Sequence, residues 1–246
     1  MRQYEFNTNE SEIIVNAIVE GYRDYIEHRK DRRQKMKISS AFAWTKGNFI
    51  ENKIAEISSN INLSYKMSKA GLTWDYLQFI HNDTKKLFLI KNAAYFNQNN
   101  FSHAVLPNKN KGQRRTYLHE LSKINKSLNF PNTTSWYENP FERNEQLSLF
   151  IPKNQIEDEL DQIKSSYNEF HILTYKIDDA YQISEIMHYL PNPEDNTAYP
   201  IENLSKHITG SELTDEERYI VAPEQDSDII DPAAFDIGIF DDEESN

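Results

Sequence analysis

The sequence predicts an α+β domain, with an antiparallel or mixed sheet flanked by helices, followed by a disordered or extended acidic tail. Three observations carry this prediction. Apolar residues recur at helical spacing within the first 60 positions. Short alternating segments bounded by turn residues follow, and recur near position 180. Charge is uneven along the chain: of 39 acidic residues, 13 lie in 211–246 beside a single basic one, Arg218, which leaves 26 acidic and 26 basic in 1–210. The net charge of −12 therefore belongs to the last segment, and the expected division is a single domain over 1–210 and an acidic tail over 211–246.

The first helix is expected over 10–30, where Ile14, Ala17, Ile18, Gly21, Tyr22 and Tyr25 fall on one stripe. Asn9 or Ser11 would cap it. The run 23–37 holds seven basic and three acidic residues, cations suited to a helix C-terminus. A second helical segment is expected over 39–60, with Gly47 as a bend or break. Strands are expected at 63–71, 73–81 and 86–92, the last two joined by the turn "NDTK". A polar loop over 97–115, a helix over 116–128, a loop over 130–144, a strand over 145–153 and a helix over 154–167 follow. Two more strands at 169–177 and 181–191 and a short helix at 199–208 complete the domain. The residues from 211 on, broken by Pro223 and Pro232, carry too much charge for a strand pair.

Composition narrows function. The chain has no cysteine, which removes disulfides, thiolate nucleophiles and Cys-type zinc sites and fits a reducing compartment. The N-terminus has no apolar signal region, and no stretch reaches the length of a membrane span. The expectation is a soluble cytoplasmic protein with no membrane partner. Seven histidines stand in no metal-ligand spacing and are expected at the surface or half-buried. Phosphate-cradling glycine loops are absent, with six glycines in all. No metal site and no cofactor are expected from the residues themselves.

Two groups of residues stand out. The hairpin places Asp75 near the start of one strand and Lys91 near the end of the next. They share a sheet face only if paired residues sum to an even number, and "NDTK" leaves that parity open. The tail interleaves Ile229, Ile230, Phe235, Ile237, Ile239 and Phe240 with Asp236, Asp241 and Asp242. That alternation suits an extended peptide adding to an exposed strand edge or entering a basic-rimmed groove. Two basic clusters, Arg29, Lys30, Arg32 and Arg33 and then Lys109, Lys111, Arg114 and Arg115, are the candidate phosphate contacts.

From residue 42 to 151 the order helix–strand–strand–strand–helix–strand resembles the core of the restriction-endonuclease-like nucleases. In that family a Glu on the first helix, an Asp on the second strand and a Glu-x-Lys on the third bind Mg²⁺ and position the attacking water. Glu51, Asp75 and Lys91 stand in matching places, and Leu89 replaces the carboxylate of the third motif. The resemblance implies a degenerate, inactive core. The chain also resembles uncharacterised small proteins of bacterial mobile elements.

The favoured expectation is a non-enzymatic protein that binds and neutralises a protein partner, as an antitoxin or a phage inhibitor of host defence does. The tail would be its docking element, nucleic acid would not be its partner, and a homodimer is compatible with the sequence. The alternative is a metal-dependent nuclease, or a nuclease-like nucleic-acid-binding protein, using Glu51, Asp75 and Lys91 with Mg²⁺.

Overall fold

A computed structural model describes residues 2–70, 74–102, 116–131 and 166–222. The predicted strand over 145–153 and most of the predicted helix over 154–167 lie outside these residues. Helices and a six-stranded mixed sheet make up the fold, as the periodicity predicts. Strands β1 (Leu63–Ala70), β2 (Trp74–His81), β3 (Lys86–Asn92), β4 (Glu169–Ile177), β5 (Ile183–Pro191) and β6 (Ala198–Asn203) lie side by side in chain order. All neighbours are antiparallel except β3 and β4, which are parallel. Among the described residues no helix is long and apolar enough to cross a membrane.

Helix α1 (Thr8–Lys35) starts two residues earlier and runs five further than predicted. Asn7 is its cap: its Oδ1 accepts from the Glu10 amide while the Glu10 carboxylate accepts from the Asn7 amide, so two orphan donors are satisfied together. The expected second helix is three pieces: a 3-10 turn (Ser40–Thr45), α2 (Lys46–Ile57) and another 3-10 turn (Ser58–Ile61). Gly47 falls in the first turn of α2, where a glycine disrupts little, and the segment tightens before it rather than at it. The short α3 (Thr116–Ser122) passes into a 3-10 turn at Lys123.

The sheet has a core on each face. Phe79, Phe88, Ile90, Leu173, Tyr175 and Ile186 pack beneath Ile14, Ile18, Ile50 and Ile54 of α1 and α2. Ile80, Leu87, Leu89, Phe170 and Ile172 pack against Leu118, Leu121 and Ile124 on the other side. The alternation within β2 and β3 sorts these residues, since successive side chains point to opposite faces. Buried Asn125 closes the second core. Its amide donates to the carbonyls of Phe170 (2.7 Å) and Pro191 (2.9 Å), and its Oδ1 accepts from the Phe170 amide (2.8 Å).

Three expectations are corrected. Residues 199–208 are not a helix. They form β6, which pairs with β5, and then a 3-10 turn (Leu204–His207). Pro200 cannot donate to a ladder, but β6 is an edge strand, where a proline is tolerated. The segment after 210 is not wholly an extended tail. Helix α4 (Asp215–Val221) begins in a Thr214–Glu217 capping box and buries Ile220, while Leu213 before it is buried as well. Arg23 holds this segment by donating to the carbonyls of Gly210 and Glu212 and pairing with Glu217, and Lys30 pairs with Glu216. The body therefore extends through Ala222. Last, His171 and His188 are fully buried, and His81 nearly so, instead of lying at the surface or half-buried.

Candidate functional site

The site follows from where β2 and β3 part. Their paired residues run from His81↔Lys86 to Phe79↔Phe88, and each pair sums to 167. Carried along the strands, that odd register places Asp75 and Lys91 on opposite faces. Core membership agrees: Leu77 and Phe79 belong with the α1–α2 side, Tyr76 and Ile80 with the α3 side. Beyond Phe79, however, β2 continues alongside β1 through Ala70↔Trp74. The β1–β2 ribbon thus runs past its last pair with β3, and a cleft lies between β2 and the end of β3.

Glu51 of α2 reaches into this cleft. Its Oε2 accepts the Leu77 amide of β2 at 2.9 Å, in place of a strand partner. A cavity of about 50 Å³ is lined by Glu51, Asp75, Tyr76, Lys91 and Asn92, with Trp44, Gly47 and Asn48 at the start of α2. Residues from α2, β2 and β3 that stand far apart in sequence, Glu51, Asp75 and Lys91, meet around one small cavity. Asp75 is exposed, Glu51 half-buried and Lys91 buried. The Lys91 ammonium lies 5.7 Å from the centroid of the Tyr76 ring, a cation–π contact that keeps a buried cation in place. Gln78, also buried, donates from Nε2 to the Tyr76 hydroxyl at 3.1 Å.

Leu89, in the place where the resemblance puts a third carboxylate, is 1% exposed and lies in the α3-side core. Among the described residues no three His, Cys, Asp or Glu side chains are grouped so as to hold a metal ion. Two carboxylates do border the cavity. Mg²⁺ is commonly held by one or two carboxylates, with water and substrate phosphate completing its shell. Glu51 and Asp75 are donors of the type that ion takes.

The predicted basic cluster on α1 is largely engaged within the chain. Arg29 is buried and donates to the carbonyls of Ser39 and Ser40. Lys30 is paired with Glu216, Arg32 lies over the Phe42 ring, and Arg33 donates to the Tyr219 carbonyl and lies over the Tyr219 ring. Lys109, Lys111, Arg114 and Arg115 lie outside the described residues. So do the tail residues Ile229, Ile230, Phe235, Asp236, Ile237, Ile239, Phe240, Asp241 and Asp242.

Sequence reasoning did not single out Asn92, Trp44 or the Tyr76–Gln78 pair. Asn92 directly follows Lys91, and Tyr76 and Gln78 flank Leu77 on the strand that carries Asp75, so the strand period already put them beside the cleft. A second polar group, also missed, lies at the other end of β3. Lys86 donates to the carbonyls of Tyr4 (2.9 Å) and Glu5 (3.2 Å) and lies 3.7 Å from Glu169. Glu169 binds His171 Nε2 (2.9 Å), and His171 Nδ1 meets His188 Nε2 (2.9 Å). Burial holds both imidazoles well below the usual histidine pKa, and the Lys86 charge adds to this. The signal was present in "FHILTY" and "IMHYL", where a histidine sits inside an apolar strand.

No protein-family model, curated protein or solved structure matches the chain.

Proposed function

We propose that the cleft is the centre of a metal-dependent nuclease-like protein that acts on a phosphodiester. One observation carries this reading: Glu51, Asp75 and Lys91, brought from three elements, line a single small cavity where the sheet opens. Paired carboxylates beside a lysine are one combination that metal-assisted phosphodiester hydrolysis uses. Mg²⁺ held by Glu51 and Asp75 would supply Lewis-acid polarisation of the phosphate.

The chain's own residues do the remainder. Glu51 is fixed by the Leu77 amide, so its carboxylate does not have to be ordered when substrate binds. Lys91, held against Tyr76, places a positive charge where negative charge develops on the phosphate oxygens. Burial of Lys91 strengthens that interaction, because a charge in a dry site is screened less than in water. Asn92 adds an amide to the same wall.

The test is cleavage of single-stranded DNA, duplex DNA and RNA by the full chain in Mg²⁺ or Mn²⁺, with EDTA as control. Glu51→Gln keeps an acceptor for the Leu77 amide, and Lys91→Met keeps the stem over Tyr76. Each is expected to lower the rate by about 100-fold or more with the melting temperature nearly unchanged. Wild-type protein that cleaves nothing, or variants that cleave at the wild-type rate, would sink the reading.

A second reading keeps the chain as a partner-binding protein with 223–246 as docking element. It is favoured by the acidic segment 212–217, which is already seated on Arg23 and Lys30, so an acidic stretch of this chain has affinity for a basic surface. It predicts that removing residues 227–246 leaves the melting temperature unchanged and weakens binding to an identified partner, measured by calorimetry.

A further inference from the structure

Among the described strands, β1 and β6 are the two edges of the sheet. An edge strand presents unpaired backbone donors and acceptors, and folded proteins blunt it with short length, proline, a bulge or charge. β6 has the first three: it is six residues long, contains Pro200, and its pairing with β5 shifts register at His188/Tyr189. β1 has none of those three. Its eight residues include no proline, and all of them pair with β2 in one unbroken register.

One face of β1 is apolar as well. Leu63 belongs to the α1–α2 core. Tyr65 and Met67 follow it on the same face and are 53% and 65% exposed. Ser64, Lys66 and Ser68 stand on the opposite face, with Lys66 exposed at the centre. An occupant of this edge therefore needs an apolar residue at every second position and a negative charge between them. A second copy of β1 does not meet that need, because it sets a lysine-bearing strand against Lys66.

Residues 235–239 of the same chain, "FDIGI", lie outside the described residues and have that pattern: Phe235, Ile237 and Ile239 alternate with Asp236 and Gly238. They are also within reach. The described body ends at Ala222, whose carbonyl accepts from Arg33. Beside Arg33 on α1, Arg32 lies over the Phe42 ring, and Trp44, two residues on, borders the cleft with Asp75 of the β1–β2 ribbon. The intervening twelve residues, 223–234, span roughly 40 Å when extended, more than the width of a six-stranded sheet. So short a tether holds the segment at high effective concentration near the ribbon. The acidic stretch just before it is already seated on Arg23 and Lys30 of the body.

We propose that residues 235–239 dock in cis as a seventh strand on the free edge of β1. Ile237 and Ile239 cover Tyr65 and Met67, and Asp236 lies beside Lys66. This docking goes beyond both readings above and is independent of any chemistry in the cleft. A partner that takes the tail has to displace it from β1.

The test is hydrogen–deuterium exchange of the full chain, read by mass spectrometry on peptides that cover β1 and, for reference, β4. Ile237→Ser/Ile239→Ser keeps length and charge. It is expected to speed exchange of the β1 amides roughly tenfold, the scale of uncovering partly buried apolar side chains, and to leave β4 unchanged. Lys66→Glu alters an exposed side chain and is expected to speed β1 exchange too. Adding Asp236→Lys is expected to recover part of the protection, which damage to β1 itself would not allow. Equal β1 exchange in the wild type and the Ile237→Ser/Ile239→Ser variant overturns the docking. So does protection that Lys66→Glu leaves intact or that Asp236→Lys does not recover. Faster exchange in β4 together with β1 would place the segment in the core instead of on the edge, and overturns it as well. Protection is expected to hold across a hundredfold dilution. Its loss on dilution would give the edge to the tail of a second copy and overturn docking in cis.

Discussion

Gly21→Ala is expected to destabilise the protein by about 2–3 kcal/mol, even though alanine is the better helix former. A methyl group at this position would lie 2.7 Å from the Ile50 Cα and 2.9 Å from the Phe49 carbonyl oxygen. Both are backbone atoms of α2, so no side-chain rotation relieves the clash. The helices cross at Gly21, and α2 must lift away for the methyl to fit. Ile50 and Ile54, both fully buried beneath α1, lift with it and lose packing. Intrinsic propensity returns only about 1 kcal/mol. A fall in melting temperature of roughly 5–10 °C follows for a chain of this size. Gly47→Ala is the control. It also lies in a helix but meets nothing within 4 Å, and it should be neutral or slightly stabilising. Thermal unfolding of the two variants decides the matter, and equal melting temperatures would mean the crossing has slack. Because α2 carries Glu51, Gly21→Ala should also disturb the cleft.

The legible part of the fold was local. Periods of 3.6 and 2 located α1, α2 and all the strands from β1 to β5, and the polar "NDTK" marked the β2–β3 turn. The failures came where a tertiary contact overrode a local pattern. Residues 199–203 read as helical, but the free edge of β5 draws them into a strand. Residues 211–222 read as solvated tail because of their charge. Their fate was decided by Arg23 and Lys30 on α1, some 190 residues earlier, and by burial of Leu213 and Ile220.

The site was half legible. Glu51, Asp75 and Lys91 stood out as a constellation, yet whether they meet depended on register, which one sequence does not contain. The odd register alone would have separated Asp75 from Lys91. What brings both to one cavity is the early end of β2–β3 pairing, a feature of how far the ribbon extends past β3.

Lys86→Met is expected to cost about 3 kcal/mol, the scale of breaking a buried ion pair on one side. Lys86 is 5% exposed and Glu169 faces it across 3.7 Å, with little water to screen either charge. Methionine fills much of the space but leaves the carbonyls of Tyr4 and Glu5 without their donor. It also leaves the Glu169 carboxylate with His171 Nε2 as a partner but no facing cation, and burial already raises its pKa while Lys86 pulls it back down. Adding Glu169→Gln should recover more than half of the loss, because most of it is the cost of a half-buried charge left without its counter-charge. If the double variant is no more stable than the single one, the pair is not the source of the effect. Acid should act on the same cluster. His171 and His188 have lowered pKa values in the folded chain, so below about pH 6.5 the unfolded chain binds more protons than the folded one. Stability is then full above that pH and falls as the pH drops through it. Glu169, with its raised pKa, works in the opposite direction, but it contributes one proton against two. Melting temperatures measured from pH 8 to pH 5 should therefore decline on the acid side, and the decline should flatten in His171→Leu/His188→Leu. A profile level down to pH 5 in the wild type would show that these imidazoles accept protons without leaving the core.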